Sequence, residues 1–73
     1  MSRPPAVHQF HAGSAHGDGI TNAMLFTRRL LHELGIPSQI FAAAVDPALE
    51  GEVHPIADYP DRAGDVLLVH HSM

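Results

Sequence analysis

Apolar residues follow two different spacings along this 73-residue chain, and the change from one to the other marks out its elements. From Ala6 to His11 the apolar positions Val7 and Phe10 predict a short strand, although they do not keep strict alternation. Ala12 to Gly19 is rich in glycine and small residues and predicts a loop. Then Ile20, Ala23, Met24, Thr27, Leu30, Leu31 and Leu34 recur at helical spacing, which predicts a helix with one continuous apolar stripe turned to the core. Asn22, Arg28, Arg29, His32 and Glu33 occupy its other faces. Asp18 is placed to cap the first turn. Gly35 stands where a left-handed C-terminal cap is wanted, and Pro37 prevents the helix from resuming.

Beyond the helix, Ser38 to Ala43 predicts a second strand. Asp46-Pro47 reads as a turn or the start of a short helix, with Asp46 capping and Pro47 in first position. Residues 50–64 read mainly as loop, with a brief extended piece at Val53 to Ile56. Asp65 to His70 predicts a third strand, whose unbroken apolar run points to burial on both faces. No internal repeat or low-complexity tract is present. Strand, loop, helix, strand, strand is the opening of a parallel α/β sheet. A strand buried on both faces needs helices on both sides, and the pattern supplies one. The expectation is therefore a fragment, with residues 1–5 a disordered start and 6–73 part of a domain.

Composition narrows the function classes. The 45% apolar and 16% charged residues are ordinary for a globular segment rather than a disordered one. Four basic against eight acidic residues give a net charge of −4, which argues against nucleic-acid partners. Without cysteine there is neither a disulfide framework nor a thiolate metal site. No apolar run approaches the roughly 18 residues of a membrane span, and the Met1 to Pro5 start lacks a secretion signal, so a cytoplasmic location is expected.

Candidate chemistry gathers at one edge. Glycines between a strand and a helix let the backbone approach a ligand, and the helix N-terminus offers free amides. The spacing Gly13-x-x-x-Gly17-x-Gly19 is neither a dinucleotide fingerprint nor a phosphate loop, and glycines that merely close the turn account for it equally well. Seven histidines are the unusual count. His70 and His71 fall at the carboxyl end of the last strand, with His11 and His16 near the same edge, where ligands gather in open parallel sheets. Imidazoles there suit hydroxyl contacts, proton transfer or, least of all given the absence of H-E-x-x-H, a metal. His32 and His54 read as ordinary packing or surface residues.

Three runs carry a resemblance: His16 to Asn22, Leu30 to Ile36, and Gly64 to Ser72. In order and spacing they resemble the start of bacterial family-four glycosyltransferases, over nearly all the chain from Val7 onward. The resemblance implies an α/β fold, an incomplete Rossmann-like parallel sheet that is the N-terminal fragment of a two-domain GT-B enzyme. It also implies a nucleotide-sugar donor, a glycan or lipid-linked acceptor, and transfer that usually retains anomeric configuration without bound metal or other cofactor. His16, Gly17, Asp18, Gly19, His70 and His71 match the family's positions beside the substrate cleft. The C-terminal domain is missing, with its paired-glutamate segment and diphosphate-gripping basic residues, so no catalytic residue is assigned and the chain alone is expected to be inactive. Two other readings stay open: a nucleotide-binding Rossmann fragment, and a small non-catalytic module that pairs through its sheet edge.

Overall fold

A computed structural model describes residues 5–14 and 19–70. Four parallel strands form one sheet: β1 (Val7–Ser14), β2 (Ile40–Val45), β3 (Val53–Pro55) and β4 (Val66–Val69), in the order β3-β2-β1-β4. The helix α1 (Gly19–Glu33) connects β1 to β2. Single 3₁₀ turns, Pro47–Leu49 and Ile56–Asp58, flank β3. The α/β character and parallel sheet expected from the sequence are present. The brief piece at Val53 is a true strand, so the sheet has four members where the main pattern gave three.

Local signals explain most boundaries. Gly35 takes φ 78°. Its amide bonds the His32 carbonyl at 3.0 Å and the Ile36 amide bonds the Leu31 carbonyl at 2.9 Å, the paired bonds of a Schellman cap. The Asp46 carboxylate accepts from the Ala48 amide at 2.9 Å, with Pro47 opening the 3₁₀ turn as its fixed φ favours. The Asp18 cap lies outside the described residues. β1 runs on through Ala12 and Gly13, residues expected in the loop, because they pair with β2 (Gly13 opposite Ala44).

Alternation sends Gln9, Ile40, Ala42 and Val53 to one sheet face and His8, Phe41 and His54 to the other. α1 covers the first face, where Met24, Ile40, Ala42, Leu49 and Val53 form the core. The segment after β3 must reach β4 at the far edge of the sheet, and it crosses the second face. Tyr59 from this segment stands edge-on to Phe41 at 5.1 Å and to His8 at 5.7 Å.

Two expectations are corrected. The helix does not bury its Ala23–Leu30–Leu34 side: Thr21 and Met24 are buried, Ile20, Leu25, Arg28 and Leu31 are half-buried, and Phe26, Leu30 and Leu34 are 62%, 44% and 75% exposed. The buried face is turned by about a quarter turn from the expected stripe. Its partners decide this, since Gln9 bonds the Met24 carbonyl while Arg28 and His32 reach Glu52 and Ser38 below. The second correction concerns β4, expected to be buried on both faces. It is an edge strand with Val66, Leu68 and Val69 exposed at 47%, 41% and 51% and only Leu67 half-buried, because α1 packs mainly on β1 and β2.

Candidate functional site

The carboxyl edge of the sheet holds His11, Gly13 and His70, with Gly19 opening α1. His70 follows β4 directly, and its amide still bonds the Phe10 carbonyl at 2.8 Å, extending the β1–β4 register so that His70 stands across from His11. The ring is held from below. Gln9, 0% exposed beneath the helix, donates from Nε2 to the Met24 carbonyl at 2.9 Å. That bond leaves Gln9 Oε1 as an acceptor, and it lies 2.9 Å from His70 Nε2. His70 therefore carries its proton on Nε2, and in the neutral ring Nδ1 is an acceptor, able to take a hydrogen bond from a substrate hydroxyl.

His11 is buried, and its Nδ1 lies against both the carbonyl and the amide of Gly13, two residues on in the same strand. Gly19 is exposed, and a Cβ built there meets nothing within 4 Å, so the structure does not itself require a glycine at that point. Of the residues expected at the site, the structure thus brings His70 and Gly19 to the carboxyl edge, while His16, Gly17, Asp18 and His71 lie outside the described residues. Gln9 was missed by sequence reasoning. A glutamine between Val7 and Phe10 in a strand that also holds His8 and His11 is its only signal, and that signal gains meaning once the helix is known to pass above it.

A second polar constellation occupies the opposite, amino-terminal edge. His8 is buried; its Nδ1 accepts from the Gln39 amide at 3.1 Å, and its Nε2 faces Asp65 Oδ2 at 3.7 Å. The Asp65 side chain is 3% exposed. It accepts from the Ala6 amide at 2.9 Å and from Arg62 Nε at 3.2 Å. The Ala6 amide bond and then Arg62 hold its carboxyl below the ordinary aspartate range. His8 Nδ1 is taken by the Gln39 amide and Nε2 faces the buried Asp65 carboxylate, so His8 links β1 to the segment before β2 and lies beside the start of β4. Nearby, the Arg28 guanidinium grips the Glu52 carboxylate and depresses its pKa by hydrogen bond and charge.

Among the described residues no three or more histidine, cysteine or carboxylate side chains are arranged to hold a metal ion, and no helix is long and apolar enough to cross a membrane. Compared with protein-family models, curated proteins and solved structures, the chain matches none.

Proposed function

We propose that the chain forms the acceptor-side wall of a nucleotide-sugar-dependent glycosyltransferase of the two-domain GT-B type, with the carboxyl edge of its sheet facing the cleft. The observation that carries this reading is His70, fixed by Gln9 at the end of β4 with an imidazole nitrogen left to accept from a sugar hydroxyl. The order of the His16–Asn22, Leu30–Ile36 and Gly64–Ser72 runs, set on a parallel sheet, supports it further. His70 orients the acceptor, and the diphosphate leaving group is stabilised by groups of the second domain.

The test begins with the coding DNA past the codon for Met73. A frame that continues into a second α/β domain with a paired-glutamate segment supports the reading, and a stop codon sinks it. The full-length product is then assayed for nucleoside diphosphate release from nucleotide sugars with and without glycan acceptors. His70→Ala is expected to raise the acceptor KM about tenfold, the loss of one hydrogen bond, and to leave the donor KM unchanged.

The exposed apolar side chains of the β4 edge strand favour a second reading, a non-catalytic module that pairs through this edge. Concentration-dependent dimerisation abolished by Leu68→Lys, with no transferase activity in the full-length product, would favour that alternative.

A further inference from the structure

The geometry points to a second binding site, for a small organic phosphate, at the amino-terminal edge of the sheet and away from His70. A cavity of about 470 Å³ opens there, within the range of small-molecule pockets. Its polar wall is made by His8, Arg28, His32, Ser38, His54 and Arg62, and none of its lining residues is acidic. In a chain of net charge −4 this is the reverse of what composition leads one to expect.

The donors are positioned but not exhausted. Arg28 is held by the Glu52 carbonyl at 2.9 Å and by the Glu52 carboxylate, and Arg62 by the two Asp65 oxygens at 3.2 and 3.4 Å. A guanidinium has more N–H groups than these bonds use, and each arginine keeps some for a ligand. His32 donates from Nε2 to the Ser38 carbonyl at 2.9 Å, which fixes its ring. Neither ring nitrogen of His54 has a hydrogen-bond partner among the described residues.

Ser38 supplies an independent sign of a ligand. It is 4% exposed and lines the cavity, and among the described residues its Oγ has no hydrogen-bond partner, a state it shares with Thr21 Oγ1, which does not line the cavity. A buried hydroxyl left unpaired is a cost that native structures seldom carry without a reason. Because the carboxylates already offset the arginine charges, recognition here rests on hydrogen bonds more than on net charge. Donors arrive from α1 (Arg28), the segment before β2 (Ser38), β3 (His54) and the crossing segment (Arg62), while His32, its proton given to the Ser38 carbonyl, only shapes the wall. That spread suits a tetrahedral phosphate, whereas a planar carboxylate is satisfied by one guanidinium fork. The cavity also has room for an organic group beside the phosphate.

Glycerol 3-phosphate and inorganic phosphate are the probes, with chloride at matched ionic strength as the control, read by amide NMR shifts and thermal melting. Saturable shifts at Ser38 and His54, absent with chloride, are expected. Tighter binding of glycerol 3-phosphate than of inorganic phosphate supports an organic ligand, and equal or weaker binding overturns that part of the assignment. Ser38→Ala gives the distinctive signature: it raises the melting temperature of the free protein and weakens phosphate binding about tenfold. His54→Gln, altering a half-buried ring outside the core, is expected to weaken binding without changing the fold, and it carries the test if Arg28→Ala does not fold. Absence of saturable shifts, equal shifts with chloride, or affinities unchanged by both Ser38→Ala and His54→Gln would overturn the site. His70→Ala leaves phosphate binding unchanged, so this test is separate from that of the transferase reading.

Discussion

If Gln9 is the support of His70, the two residues must be energetically coupled, and the structure fixes how strongly. His70→Ala removes the donor to Gln9 Oε1, an atom of a residue that is 0% exposed. A buried acceptor left without a partner costs about 1–3 kcal/mol. Because His70 is half-buried at the edge of the sheet, water can enter the vacated space, which places the cost near the lower end, about 1 kcal/mol. Gln9→Leu removes the acceptor altogether. The Met24 carbonyl keeps its place in the helical ladder, His70 turns to solvent, and the new side chain adds apolar burial, so the net change is within about 1 kcal/mol of zero.

In the Gln9→Leu background His70→Ala then has nothing left to break. The double-mutant cycle should close with a coupling of about 1 kcal/mol, above the roughly 0.3–0.5 kcal/mol within which independent sites add. Urea denaturation followed by circular dichroism is the assay. A domain of this length has about 4–11 kcal/mol of stability, enough to measure each variant. Nitrogen NMR of the imidazole gives a second readout: His70 should be the Nε2–H tautomer with Gln9 present and a mixture in Gln9→Leu. Additive stabilities together with an unchanged tautomer would refute the reasoning.

Three further outcomes are expected. Phe41 is 1% exposed and ringed by His8, His54 and Tyr59 at 5.5, 5.9 and 5.1 Å, so Phe41→Ala should cost about 3–5 kcal/mol. A loss below about 1 kcal/mol in denaturant melts would show that the crossing segment does not pack on this face. Gly35→Ala places a side chain at φ 78° and should cost about 1 kcal/mol or more, read from the urea midpoint. Asp65 has a folded pKa below its unfolded value, so its stabilising contribution is complete above the unfolded aspartate range and is lost as pH falls through the folded pKa. Asp65→Asn should therefore flatten the acid limb of stability against pH, and an unaltered limb would contradict the assignment.

Much of the architecture was legible because its signals are local. Helical spacing from Ile20, a glycine followed by a proline at the helix end, and Asp46-Pro47 each act over a few residues, and those elements stand where the pattern put them. Partner choice was not legible. Apolar residues nearly encircle α1, and only the positions of Gln9, Ser38 and Glu52 decide that Thr21 and Met24 face the sheet while Leu30 and Leu34 face out. The run Val66 to Val69 specifies a strand, but its place at the edge follows from strand order, which depends on how the segment after β3 crosses the sheet. The site divides in the same way. A histidine at the end of a strand is visible in the sequence, whereas its attachment to Gln9, 61 residues away, exists only in the folded chain. The cavity at the other edge gathers residues from β1, α1, the segment before β2, β3 and the crossing segment, and none of them marks it alone. Sequence determined which segments form helix and strand, since backbone preference is local. Tertiary structure decided which faces are buried and which polar groups meet, since those depend on contacts between distant parts of the chain.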